Sequence, residues 1–351
     1  MIRSSKNKEG QQKKSENQKL SVVHDSSKSS EDMEPNIRPS NIDEVIGRKT
    51  EKEAINMMIK SAKKRGDSVD HILFYGPPGL GKTTFANAIA REIGSSLHVT
   101  SGPAIERQGD LAAILTNLGH NDVLFVDEIH RLSRGVEETL YPAMEDGVLD
   151  IVVGKGPSAK TIRLSLNPFT LIGATTNIGK LSPPMRDRFG LVQRLDYFEE
   201  SDILKILERA VVVWDMNFEK DALNEIAKRS RGTARVSLRL LRRVRDYYEN
   251  SDIKESLVSK KVALEALELL GIDGFGFEDV DRMIIETIWQ YYEGGPVGVS
   301  TLAAAISEEE STLTDVYEPF LMKSGFLQRT SRGRVLTEKA INYIMQKGGE
   351  V

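Results

Sequence analysis

The chain's 351 residues exceed what one hydrophobic core usually organises, so two or three domains are expected. Hydrophobic residues at 39% and charged residues at 28% are ordinary for a globular protein, and the absence of Cys excludes disulfides and thiolate chemistry, which suits a reducing cytoplasm. The net charge of −4 lacks the basic imprint of a nucleic-acid partner, no apolar run nears the roughly 18 residues of a membrane span, and the N-terminus has no secretory apolar core.

Residues 1 to about 34 mix Lys, Ser, Glu, Gln and Asn with few apolar residues, a composition that predicts a disordered tail. From Ile37 the pattern becomes globular. Asn41 or Asp43 is placed to cap a short helix ending at Ile46-Gly47, and Glu51–Arg65 carries Ile55, Met58, Ile59 and Ala62 on one helical face. Apolar runs at Ile72–Tyr75, Val123–Val126 and Thr170–Ala174 alternate with helical patterns, which reads as a parallel sheet covered by helices. Alternating runs at Asp150–Val153 and Thr161–Leu166 flank Gly154-Lys155-Gly156-Pro157 and predict a β-hairpin. After Asp196, the segments Ser201–Val213, Lys220–Arg229, Val236–Glu249 and Lys260–Leu270 read as a small helical domain, followed by the glycine-rich linker Gly271–Phe277. The last unit has a helix through Val280, Ile284, Ile288 and Tyr291, then short helices Ser300–Ile306 and Thr312–Lys323. An extended run Phe326–Thr330, a turn at Arg332-Gly333 and a return at Val335-Leu336 complete the order of a winged helix.

The strongest motif is Gly76-Pro77-Pro78-Gly79-Leu80-Gly81-Lys82-Thr83, a G-x-x-x-x-G-K-[ST] phosphate loop between an apolar strand and the helical run Thr83–Glu92. Gly76, Gly79 and Gly81 let backbone N–H groups turn inward around phosphate oxygens, and the helix N-terminus adds partial positive charge. Lys82 is placed for the β- and γ-phosphates and Thr83 for Mg²⁺. Some 45 residues later, the apolar run before Asp127-Glu128 delivers one carboxylate for the metal and a second to polarise the attacking water. Two carboxylates argue for hydrolysis rather than a switch. In a P-loop sheet the Thr170–Ala174 strand lies between these two, which places Thr176 to sense the γ-phosphate or to orient water. Arg186 and Arg188 fall too far along to reach their own nucleotide and suggest an arginine finger given to a neighbouring subunit, worth about 10³–10⁵ in rate.

Taken together, Asp127-Glu128-Ile129-His130-Arg131-Leu132, Tyr141-Pro142-Ala143-Met144-Glu145-Asp146, Gly173-Ala174-Thr175-Thr176, Arg186-Asp187-Arg188-Phe189-Gly190 and Gly325-Phe326-Leu327-Gln328-Arg329-Thr330 closely resemble the RuvB family of Holliday-junction branch-migration ATPases, from about Ile37 to Thr337. The resemblance implies an α/β P-loop AAA+ domain with a parallel sheet at 35–198, an all-α lid at 199–272 and a winged-helix domain at 273–351, behind the tail at 1–34. It implies ATP/ADP and Mg²⁺ as cofactors, a homohexameric ring, the duplex arms of Holliday junctions as substrate, the partner RuvA, and the resolvase RuvC through the RuvA complex. Carried over by position, Arg38 lies at the base end of the nucleotide pocket, while Gly79, Lys82, Thr83 and Thr84 cradle phosphates and Mg²⁺. Asp127 and Glu128 are the metal and water residues, Thr176 is the sensor, and Arg188 is the trans finger with Arg186 beside it. Glu145, Asp146, Gly147, Arg186 and Phe198 belong with the nucleotide-contacting set, and Arg235 is the lid arginine. Three departures stand out: the family's Thr-Pro-Arg reads Thr233-Ala234-Arg235, the Ile-Ala-Asn that follows reads Val236-Ser237-Leu238, and a family Tyr is Phe198.

In that family the predicted hairpin docks RuvA, through an apolar face of Ile151, Val153, Ile162 and Leu164; a hairpin packed on its own domain is the alternative. The second helix of the winged unit carries Asp315 and Glu318 and almost no basic residues, so base reading is not expected of it. Arg329, Arg332 and Arg334 in the wing predict phosphate contacts that are salt-sensitive and nearly independent of sequence. Other readings are a clamp-loader-like factor, which shares the ATPase parts, and a silent scaffold, which intact Lys82, Asp127 and Glu128 oppose.

Overall fold

The computed structural model describes residues 37–153, 160–251 and 256–348; the tail and the Gly154–Pro157 turn lie outside them. No helix forms over Asn41–Gly47. Asn41 Oδ1 accepts the Glu44 backbone N–H at 3.0 Å, as a capping residue does, but Gly47 and Arg48 take left-handed φ values of 67° and 57° and end the turn. Helix α1 (Lys49–Arg65) then buries Ile55, Ile59 and Ala62 and stops at Gly66.

The ATPase domain continues as β1 (Ile72–Tyr75), α2 (Lys82–Ile93), β2 (Leu97–Ser101), α3 (Gln108–Thr116), β3 (Val123–Asp127), α4 (Arg134–Glu145), the hairpin β4 (Val148–Val153) and β5 (Lys160–Ser165), β6 (Thr170–Thr175), α5 (Pro183–Arg186) and β7 (Leu191–Arg194). Five strands form one sheet in the order β2-β3-β6-β1-β7, with all neighbours parallel. β6 lies between the phosphate-loop strand and the Asp127 strand, with Ile172 opposite Ile72 and Thr170 opposite Val123. Because consecutive side chains point to opposite faces, Phe74, Phe125 and Ile172 join one core and Leu73, Leu124 and Leu171 the other. Both faces are covered, so β6 is buried at every residue.

The apolar face of the β4–β5 hairpin divides along its length, which corrects the expectation of one continuous partner surface. Ile151 faces Ile162 and Leu149 faces Leu164. Leu149 is fully buried, and Ile151 and Leu164 pack against the domain's own core, whereas Ile162 is 46% exposed. The surroundings of Val153 lie outside the described residues.

The lid is four helices, α6 (Glu200–Val213), α7 (Lys220–Lys228), α8 (Ala234–Asn250) and α9 (Lys260–Leu269), around Leu207, Ile226, Leu241 and Ala266. Thr233 caps α8 by accepting the Val236 N–H at 3.3 Å. Ala234 therefore occupies the first helical position, where the N–H needs no partner inside the helix and Pro is favoured, so Ala substitutes at little cost.

The winged helix comprises α10 (Asp279–Tyr292), α11 (Val299–Ala305), α12 (Glu310–Thr312), α13 (Glu318–Lys323), β8 (Leu327–Thr330), β9 (Gly333–Leu336) and α14 (Glu338–Gly348). A π-helical turn, Leu313–Tyr317, joins α12 to α13 just before Pro319, which has no N–H to give a regular turn. Phe277, Phe320, Phe326 and Tyr343 fill its core edge-to-face. Lid Arg231 ties the two domains, donating to the fully buried Asp281 at 2.6 Å and facing the Phe320 ring at 4.8 Å.

Candidate active site

The phosphate loop connects β1 to α2 with Gly76, Gly79 and Gly81 at φ 144°, 77° and 90°. A side chain at 76 would strike the Leu195 carbonyl at 2.2 Å, and a Cβ at 79 would lie 2.8 Å from the Cβ of Arg235. Only glycine allows the loop this shape and lets the lid approach it. Lys82 is buried and its Nζ donates to the carbonyls of Gly76 at 2.8 Å and Pro77 at 2.9 Å. Burial lowers its pKa, opposed by the nearby charges of Asp127 and Glu128. An ammonium held in a glycine loop at a helix N-terminus, with carbonyls as its hydrogen-bond partners, suits an incoming polyanion.

Asp127 ends β3, and its Oδ1 accepts the Glu128 N–H at 2.9 Å. Glu128 itself takes the left-handed conformation, φ 48° and ψ 43°, which costs a non-glycine residue about 1 kcal/mol or more. That turn leaves its carboxylate off the strand axis, where Thr176 Oγ1 donates to Oε2 at 3.2 Å and His130 Nδ1 stands 3.2 Å from the same oxygen. Thr176, the exposed residue just past buried β6, is thereby brought to Glu128. Among the described residues no group of three or more His, Asp or Glu gathers to hold a metal ion. A Thr hydroxyl at position 83 and an Asp carboxylate at position 127 are the donor types that would suit Mg²⁺, an ion that keeps several waters and draws further ligands from phosphates.

Arg188 lies elsewhere. Its guanidinium stacks 4.1 Å from the Tyr141 ring centre, pairs with Glu145 at 3.1 Å and donates to the Pro184 carbonyl at 2.6 Å. Tyr141 in turn hydrogen-bonds Ser182, the N-cap of the short helix that ends at Arg186. Glu145 thus meets Arg188, with exposed Asp146 and the half-buried, left-handed Gly147 following it.

Three family models match in succession: the Holliday junction DNA helicase RuvB P-loop domain over residues 37–195, the RuvB AAA lid domain over 198–273, and the RuvB C-terminal winged helix domain over 274–345. The chain belongs to the RuvB family. A Fusobacterium nucleatum protein named Holliday junction branch migration complex subunit RuvB is 53% identical over 312 residues, 89% of this chain and 93% of that protein. The structure described as the Thermotoga maritima RuvB Holliday junction branch migration motor is 45% identical with a TM-score of 0.78, covering 88% of this chain and 98% of its own. A variant of the Thermotoga protein gives 46% and 0.79 over the same shares.

As a RuvB-family P-loop ATPase, the chain joins lid to phosphate loop through Arg235 at Gly79, and Phe198 sits at the hinge, its N–H donating to Gly232 O at 2.8 Å. Arg38 touches the lid instead of lying free: its carbonyl accepts from Arg209 of α6 at 3.5 Å. Sequence reasoning passed over Arg48, whose guanidinium stacks on Phe198 at 4.3 Å and donates to the carbonyls of Leu80 and Asp196. It also passed over His130. For Arg48 the only signal was a lone arginine after Gly47; for His130 it was its place within Asp127-Glu128-Ile129-His130.

One RuvB wing assignment needs correction. Arg334 is 9% exposed and forms a two-pronged pair with the fully buried Glu318, Nε to Oε1 at 2.6 Å and Nη2 to Oε2 at 3.2 Å. Its fork is spent inside the domain. Arg329 also bonds Glu318 but keeps 48% of its side chain exposed, and Arg332 is exposed in the turn between the strands.

Proposed function

We propose that this chain is an ATP-driven motor that moves duplex arms of Holliday junctions, working as a homohexameric ring with RuvA and, through it, RuvC, in the cytoplasm. The observation that carries the reading is the meeting of Lys82, Asp127, Glu128 and Thr176 at the C-terminal edge of one parallel sheet, with the lid's Arg235 against the phosphate loop. Lys82 and the loop N–H groups bind the triphosphate, and Thr83 with Asp127 would hold Mg²⁺. The ion supplies charge neutralisation on the phosphates when bound. Glu128 accepts a proton from the attacking water, and Thr176 orients that carboxylate. Arg188 of one subunit, with Glu145 and Arg186 on the same edge, completes the site of the next. The exposed Arg329 and Arg332 grip phosphates, with RuvA docking on the hairpin end that carries Ile162. No helix among the described residues is long and apolar enough to cross a membrane.

A mixing experiment tests the trans arrangement. Glu128→Gln and Arg188→Ala chains should each hydrolyse ATP at least 100-fold more slowly than wild type with duplex DNA present. Mixed together, they should recover activity, because an Arg188→Ala subunit keeps Glu128 and borrows Arg188 from its neighbour. Full activity in Arg188→Ala alone overturns the finger assignment. Wild-type turnover indifferent to DNA and to salt overturns the motor.

A further inference from the structure

The ring of His130 is nearly buried beneath the catalytic strand ends, with 9% of its side chain exposed. Its Nδ1 lies 2.8 Å from Thr175 Oγ1 and 3.2 Å from Glu128 Oε2. Thr175 Oγ1 also accepts the Asn177 N–H at 3.0 Å. These neighbours decide the tautomer. An ionised carboxylate only accepts hydrogen bonds, so a bare Nδ1 lone pair 3.2 Å from Oε2 would be repulsive, whereas an Nδ1–H shared with Thr175 Oγ1 places its positive end beside that oxygen. The Thr175 hydroxyl has a second lone pair and tolerates the same N–H. Glu128 Oε2 then holds one hydrogen-bond donor, Thr176 Oγ1–H, with His130 Nδ1 beside it at 3.2 Å, while Oε1 has no donor among the described residues. One oxygen of the carboxylate is anchored and the other is left to take a proton from water.

We infer that His130 is a positioning residue for Glu128, holding the carboxylate by the electrostatic attraction of its Nδ1–H and joining it, through Thr175 and Asn177, to the end of the strand that carries Thr176. The inference rests on the reading of Glu128 as the water-polarising base. Glu128 needs such a clamp more than most catalytic carboxylates. Its own backbone is in a sparsely populated conformation, so its side-chain direction is not set by regular strand geometry. His130 lies two residues on, in a single 3₁₀ turn (Ile129–Arg131) whose backbone is closed by the Arg131 N–H donating to Glu128 O at 2.8 Å. The clamp and the group it holds are thus parts of one turn.

The test compares full-length His130→Ala and His130→Asn with wild type and Glu128→Gln, measuring ATP kcat and KM with duplex DNA, and the melting temperature of each. Asn carries an N–H at nearly the place of imidazole Nδ1; Ala carries none. His130→Ala should lower kcat about 10- to 100-fold with KM within about threefold of wild type, as loss of an outer-shell orienting partner does. His130→Asn should recover most of that loss. Equal kcat in the Ala and Asn variants, whether both unchanged or both low, overturns the inference, as does a loss that follows melting temperature instead of the N–H. Should His130→Ala not fold, the comparison of His130→Asn with His130→Leu decides on the same terms. If Glu128→Gln retains turnover, the base assignment fails; if it loses turnover while the His130 variants do not, the inference alone fails.

Discussion

Two antiparallel hairpins in this molecule treat arginine in opposite ways. In the β4–β5 hairpin, Arg163 stands opposite Asp150, and the two form a pair at 2.8 Å on an exposed surface. In the wing, Arg329 stands opposite Arg334, so two like charges meet across the strands. The second arrangement exists because Glu318 reaches in from α13, fully buried, and bonds both. The first pair is self-sufficient and solvated; the second is a tertiary cross-link that ties the wing to the helix behind it. Both hairpins carry an arginine in a directly opposed cross-strand pair. What differs is whether a carboxylate comes from the facing strand or from another element.

Breaking that cross-link gives the largest expected effect. Glu318→Ala leaves a buried guanidinium without its partner and should destabilise the winged helix by about 3–5 kcal/mol, read as an early melting transition or loss of amide protection in β8 and β9. The pair replacement Glu318→Leu with Arg334→Met should restore much of it, since an apolar pair of similar size removes the charge along with its partner. If Glu318→Ala melts like wild type, the triad is not a structural tie. Next in size is Arg332→Ala at the wing tip, which should weaken duplex binding and reduce the salt slope by about one per contact while leaving the melting temperature unchanged. An unchanged salt slope would remove Arg332 from the DNA interface.

A smaller effect should come from His71, which sits between α4 and β6. Its Nδ1 accepts the Leu171 N–H at 2.9 Å and its Nε2 lies 3.2 Å from the Met144 carbonyl. Burial lowers its pKa below the usual 6.5, with the Met144 bond partly opposing. The unfolded chain therefore takes up a proton first as pH falls, and the stability from neutral His71, fully present above about 6.5, is lost progressively below it. Melting temperature between pH 5 and 7 should fall less steeply in His71→Gln. His130, whose pKa is also lowered chiefly by burial, keeps part of the slope. Equal slopes in both proteins would exclude His71. Smallest of all is Arg163→Ala, expected to shift melting by no more than about 1 °C, because an exposed pair gains little over water. A larger loss would mean that the first hairpin resembles the second after all.

The same contrast explains what the sequence made legible. Central strands β1, β3 and β6 announce themselves as apolar runs because helices cover them on both sides. Strands β2 and β7 are the sheet's edges, half-buried and mixed with Thr, Gln and Arg, so no such run marks them. The phosphate loop was readable because its glycines and Lys82 are required by local geometry within eight residues. Arg334 was misread because its burial depends on Glu318, sixteen positions away on another element. The short helix expected at Asn41 failed for a local reason: the cap forms, but the turn is ended by the left-handed pair Gly47-Arg48. Arg48 found a use there, stacked on Phe198.

The approach of Arg235 to Gly79 sets how tightly the lid fits against the phosphate loop. With a side-chain carbon at 79 placed 2.8 Å from the Arg235 Cβ, one methyl group is enough to wedge loop and lid apart. The clearance between lid and phosphate loop at this point is smaller than a single carbon atom.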